Sequence, residues 1–254
     1  MSTQPTAPEK PTVLIVPGAW QLTTAFVPFI ELLNKSGYET EIVKLPSTGG
    51  TELPLTGLPE DIAAIRAVLE PLVEAGKNVL LLTHSAGGVS GSGAMKDLDT
   101  KTRKSAGLAG GVTRVVYMGA FMIPKGSSLM EMLGGKPLPW MVIEGDRVTG
   151  DPELMPQVGL GDLSPEEIQK WSKEMSHTSA ALFVGTSQYE PWANGVPCAY
   201  IFTKQDGALP FSLQQKMAEQ LGPNPLTVEI DSNHCPFLSR PEELLSAINT
   251  IASA

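Results

Sequence analysis

Short apolar runs alternate along the chain with longer stretches of helical spacing. "TVLIV" (12–16) is β-branched and stops at Pro17-Gly18. Over 23–36, Phe26, Phe29, Ile30 and Leu33 recur at helical intervals, and Gly37 supplies a helix stop. "YETEIVKL" (38–45) reads as a strand, and 46–57 as a Pro/Gly/Thr loop. Residues 59–75 form an amphipathic helix with Ile62, Ile65, Leu69, Leu72 and Val73 on one face. "NVLLLT" (78–83) is continuously apolar, as expected of a strand buried on both faces. "TRVVYMGAF" (113–121), "PCAYIFT" (197–203) and "LTVEI" (226–230) complete six strands, with helices over 210–221 and 241–252. Strands joined by helical crossovers predict an α/β fold: a mostly parallel sheet covered by helices on both faces.

The rhythm breaks over 122–195, where no clean strand is visible. A helix is expected at "LSPEEIQKW", with Ser164 as cap and Pro165 at its first turn. The segment is too long for a plain loop and reads as a helical cap inserted between core segments 12–121 and 196–254. Seven of the ten methionines lie between Met118 and Met175, and three of the four tryptophans between 140 and 192. That composition suits an adaptable apolar substrate lining and equally the small core that a cap needs.

Composition narrows the class. The chain has 254 residues, 42% hydrophobic and 18% charged, with a formal net charge of -9. That acidity argues against a nucleic-acid partner. No apolar run is long enough to span a membrane. The first 11 residues, "MSTQPTAPEKP", lack an apolar core and read as a disordered lead-in rather than a signal peptide. Two cysteines without a disulfide framework fit a reducing, cytoplasmic setting. No His/Cys/Asp/Glu cluster has metal-ligand spacing, and Gly91-Ser92-Gly93 does not complete a dinucleotide loop, so no metal or cofactor is expected.

The chemistry concentrates at "LLLTHSAGGVSG" (80–91). Ser85 follows a buried strand and precedes a helix of small residues, the setting of a nucleophile elbow. The motif Gly-x-Ser-x-Gly is only partly met, because Thr83 stands where the first glycine belongs. The crowding of its side chain calls for relief from the small residues that follow. A plain helix N-cap is the alternative for Ser85. A serine nucleophile needs a base, a carboxylate and N–H donors for the oxyanion. Of three histidines, His84 should point away from the serine as a structural residue. His177 lies in the inserted segment, solvated or touching substrate. His234 follows the last strand, at the edge where α/β sheets bind ligands. Asp206, after the strand at 197–203, completes the chain order Ser-Asp-His; Asp231 is a competitor. Ala86 and Ala19 are the candidate oxyanion donors. Gly18, Trp20, Phe121, Trp140 and His177 are candidate pocket residues.

The ordered set "VPGAW", "THSAGG", "VVYMGAFMIPKG", "YIFTKQDGALP" and "NHCPFLSRPEELL" resembles the α/β-hydrolase superfamily. Within it the chain is similar to the small cap-bearing branch of plant methylesterases, hydroxynitrile lyases and their microbial relatives. The resemblance implies Ser85 as nucleophile, His234 as base, Asp206 as acid, and Ala19 and Ala86 as oxyanion donors. In the lyases a lysine follows the catalytic histidine and a threonine lines the oxyanion loop; here those places hold Cys235 and Gly18, which weakens a cyanohydrin-lyase reading. The expected function is hydrolysis of a small, largely apolar ester, lactone or thioester. A lyase or cyclase using the same residues, and a non-catalytic small-molecule receptor, are the alternatives. A homodimer is left open.

Overall fold

The computed structural model describes residues 10–254. The expected lead-in therefore lies outside the described residues except at its end, where the Lys10 ammonium donates to Ser36 O at 2.8 Å. In chain order the strands are β1 (Thr12–Val16), β2 (Thr40–Ile42), β3 (Asn78–His84), β4 (Gly111–Met118), β5 (Met141–Glu144), β6 (Arg147–Gly150), β7 (Thr178–Ser179), β8 (Cys198–Thr203) and β9 (Leu226–Ile230).

Six of them form one sheet in the order β2-β1-β3-β4-β8-β9, and every neighbouring pair is parallel. Side chains alternate between its faces, so each central strand serves two cores. Leu14, Leu81, Val115 and Tyr200 pack on one face against the helices Leu58–Glu74 and Gly87–Ala94. Ile15, Leu80, Val116 and Ile201 pack on the other, against Val27–Lys35 and Pro241–Ala252. This is why β3 reads as one unbroken apolar run. The strand order reverses between β1 and β3, and the carboxyl ends around that point open the crevice.

Two strands are shorter than their sequence patterns. β2 covers 40–42 of the expected 38–45, because an edge strand has a single partner, β1, and only three residues pair with it. β4 ends at Met118 instead of 121. Gly119 turns the chain, and the Phe121 N–H donates to Ser85 O at 3.0 Å.

The inserted segment corrects the all-helical expectation. Its short helices include Pro165–Ser172, with the expected Ser164 as N-cap and Glu167 completing a capping box. It also carries an antiparallel sheet, β5-β6-β7. β5 and β6 pair around Gly145-Asp146, a dipeptide suited to two-residue hairpins. Four-residue strands leave little alternation to read, so the turn was the stronger signal. Among the described residues, no helix is long and apolar enough to cross a membrane.

The loop after β2 is pinned by a buried carboxylate. Asp61 accepts from Ser47 N at 2.9 Å and Ser47 Oγ at 2.7 Å. Burial raises its pKa from 3.8 to about 6, with the Ser47 bonds opposing. The folded state thus holds this proton more tightly than the unfolded one. The stability it contributes is complete below about pH 4 and is lost as pH rises through about 6, by on the order of 3 kcal/mol. Asp61→Asn retains an acceptor for Ser47 N–H and a donor for Ser47 Oγ. We expect its stability relative to the native chain to rise between pH 4 and 7 in denaturant titrations; an identical pH slope would refute the assignment.

Candidate active site

The candidate site sits at the carboxyl ends of β1, β3, β8 and β9. Ser85, between β3 and the helix Gly87–Ala94, has φ 54°. A non-glycine residue adopts this left-handed conformation only where its surroundings impose it. Its carbonyl accepts from Gly88 N at 3.1 Å and Phe121 N at 3.0 Å, which locks the turn. The helix N-cap is Ala86, without a side-chain cap bond, so Ser85 is not a capping serine.

Thr83 fits because Gly91 lacks a side chain: a Cβ at Gly91 would lie 2.5 Å from the Thr83 methyl Cγ2. The Thr83 hydroxyl donates to Val116 O at 3.1 Å. This makes a coupled pair. Gly91→Ala should destabilise the native chain by about 2 kcal/mol through overpacking. In a Thr83→Ser background the methyl is gone, and the same change should be neutral or gain up to about 1 kcal/mol of helix propensity. A double-mutant cycle by urea unfolding tests this; additive effects would refute the contact.

His234 and Asp206 meet across two loops. His234 Nδ1 lies 2.7 Å from Asp206 Oδ2. The carboxylate is saturated with donors: Oδ1 accepts from Ala208 N at 2.8 Å and Leu209 N at 2.7 Å, and Oδ2 also accepts from Thr203 Oγ1 at 2.8 Å. Fully buried Gln214 closes this turn. Its amide oxygen accepts from Thr203 N at 3.0 Å, and its nitrogen donates to Thr203 O at 3.0 Å and Leu209 O at 2.7 Å. Asp231, the competitor, instead bonds Gln205 Nε2 at 2.9 Å on the surface.

His84 is wholly buried, and that burial, with the neighbouring His234, holds its pKa well below the usual value. Its Nε2 lies 2.7 Å from His234 O and its Nδ1 2.8 Å from Gln21 Oε1. These contacts tie the His234 loop to the elbow. Gln21 also accepts from Gly18 N at 3.2 Å and donates to Cys235 Sγ at 3.3 Å. Burial pushes the Cys235 thiol well above its ordinary pKa, so the residue after His234 is neutral. No pattern in the sequence singles out Gln21 or Gln214; each is a polar residue whose partners exist only in the folded chain.

Ser85, His234, Ala19 and Ala86 line one pocket. Among the described residues, neither the Ala19 nor the Ala86 N–H donates to a protein acceptor. Trp20, Phe121 and Trp140 line the same pocket, with Leu129, Leu133, Leu138, Met155 and Phe183. Among the described residues, its wall includes no lysine, arginine, aspartate or glutamate.

Two expected pocket residues lie elsewhere. Gly18 sits beneath the elbow, where a Cβ would come 2.6 Å from Ser85 Cβ. His177 faces a separate cleft with Thr149 and Asp151, and its Nε2 lies 2.7 Å from Gly50 O. Antiparallel pairing near Thr178 turns it away from the pocket.

Residues 13–247 match the alpha/beta hydrolase family, and the chain belongs to it. It is an enzyme of that hydrolase type. A probable hydrolase, R7, from Phoma sp. is 28% identical over 250 residues, covering 96% of this chain and 98% of that one. The crystal structure of a pyrethroid hydrolase from Sphingobium faniae JZ-2 shares the fold with TM-score 0.73 at 22% identity, over 96% of this chain and 98% of that one. A methylesterase from Arabidopsis, MES16, does so with TM-score 0.74 at 20% identity, over 95% and 99%.

Proposed function

We propose that the protein cleaves small, largely apolar carboxylic esters, lactones or thioesters through an acyl-enzyme on Ser85. Ser85 Oγ attacks the carbonyl carbon while His234 Nε2 takes its proton. Asp206 holds the Nδ1–H and stabilises the imidazolium. The carbonyl oxygen becomes an oxyanion facing the Ala19 and Ala86 N–H groups. Collapse of the tetrahedral intermediate expels the alcohol, which receives the proton from His234. Water then repeats the cycle on the acyl-enzyme and frees the acid.

The observation that carries this reading is the meeting of a left-handed Ser85, a His234–Asp206 pair and two uncommitted N–H groups on one apolar pocket. The names of the relatives, a probable hydrolase, a pyrethroid hydrolase and a methylesterase, agree with it. The uncharged wall favours neutral substrates, since a buried unpaired charge costs several kcal/mol. Neutral Cys235 offers no cation to a leaving cyanide, which speaks against cyanohydrin cleavage.

The test is a panel of p-nitrophenyl esters, methyl esters and lactones together with a fluorophosphonate probe. The expected adduct is on Ser85, with hydrolysis of neutral esters. Adduct formation at another residue, or tight ester binding without turnover, would refute the proposal.

A further inference from the structure

The turn that carries the Ala19 N–H does not hold its shape alone. Trp20 has φ 65°. For a bulky aromatic residue this is a true conformational outlier, kept only where neighbours over-determine it. Its neighbours come from the inserted segment. The Trp20 N–H donates to Thr178 Oγ1 at 2.6 Å, and its indole Nε1–H donates to Val148 O at 2.8 Å. Its carbonyl accepts from Ser176 N at 2.8 Å. The ring packs edge-on to Trp140 and tilted against Phe183, with centroids 5.1 and 5.5 Å away.

Thr178 supplies the only side-chain oxygen among these contacts. It is fully buried on β7, and its hydroxyl has Thr48 Oγ1 at 3.4 Å as a second partner. Its own proton can therefore go to Thr48 while a lone pair takes the Trp20 N–H. The amide so held is next in the chain after the Ala19 N–H.

We propose that Thr178 is a positioning residue for the oxyanion turn: by accepting the Trp20 N–H, it keeps the Ala19 N–H directed into the pocket. The inserted segment then contributes to the chemical step as well as lining the pocket. This rests on the ester-cleaving role of Ser85, His234 and Asp206. Loss of the acceptor leaves the Trp20 N–H unpaired and lets the turn relax from its left-handed state. Relaxation carries Ala19 away from the oxyanion while the apolar wall remains.

The experiment compares the native protein with Thr178→Val, Thr178→Ser and Ser85→Ala. The valine variant preserves shape and strand preference, and the serine variant restores the oxygen. Readouts are kcat and KM on a p-nitrophenyl ester and inhibition by an aryl trifluoromethyl ketone, which forms a tetrahedral adduct with the serine. For Thr178→Val we expect kcat to fall by about 10- to 100-fold, the inhibition constant to rise by a similar factor, and KM to stay within about threefold. Thr178→Ser should restore kcat and the inhibition constant.

A folded Thr178→Val with native kcat and inhibition overturns the proposal, as does a rise in KM alone or a loss that Thr178→Ser does not restore. If Thr178→Val is unfolded by circular dichroism, Thr178→Ala carries the same comparison. An active Ser85→Ala overturns the ester-cleaving reading and this proposal with it. An inactive Ser85→Ala beside an undiminished Thr178→Val overturns this proposal alone.

Discussion

Ser85→Ala should lower kcat by about 10⁵- to 10⁶-fold and leave KM nearly unchanged. The change removes one oxygen and nothing that holds the turn. The bonds locking the elbow are made by the Ser85 carbonyl, from Gly88 N and Phe121 N, and the hydroxyl takes no part in them. Alanine at φ 54° meets the same backbone cost as serine, so the elbow should persist. The pocket stays apolar and the oxyanion donors stay in place. What is lost is the acyl-enzyme, and with it fluorophosphonate labelling. Stopped-flow measurement with a p-nitrophenyl ester should show no burst of p-nitrophenol. A variant retaining a tenth of native kcat would mean that another group attacks the carbonyl.

Asp206→Asn should lower kcat by about 10⁴-fold, through the His234 tautomer rather than through shape. The partners at residue 206 dictate how an asparagine would sit. Oδ1 accepts two backbone N–H groups, from Ala208 and Leu209, which only an oxygen can do. The amide nitrogen must then occupy the Oδ2 place, facing Thr203 Oγ1, His234 Nδ1 and, more distantly at 3.3 Å, Gln214 Nε2. There it donates to Nδ1 and drives the ring proton onto Nε2. That is the nitrogen that has to be free to receive the Ser85 proton. The turn itself should survive, because Gln214 fastens Thr203 and Leu209 by their backbone groups. The measurements are steady-state kinetics with thermal unfolding as a fold control. Native kcat in a folded Asp206→Asn would remove Asp206 from the mechanism and return attention to Asp231.

Much of the fold was legible because its signals are local. The two-sided burial of β3 appears as an apolar run, and the Ser164–Glu167 capping box is visible as a spaced pair. The glycines after Ser85 announce a tight helix approach, and Gly91 proves to be the one that accommodates the Thr83 methyl. Strand ends were less legible: β2 pairs with β1 over three residues only, and β4 ends where Gly119 turns the chain. The hairpin at 141–150 was hidden by its short strands, although its Gly-Asp turn was in view.

From the sequence alone follow the parallel α/β sheet and the order Ser85, Asp206, His234, each just past its own strand. Backbone periodicity and turn chemistry act over a few residues, so they are written in neighbouring positions. Only the tertiary structure decided that His177 faces away from the pocket, that Gly18 underlies the elbow, and that Gln214 closes the turn around Asp206. Only there does Thr178 meet Trp20, 158 residues apart in the chain. Such partners are chosen by packing across the fold, where a hydrogen bond depends on the distance and direction of two groups and not on their spacing in sequence.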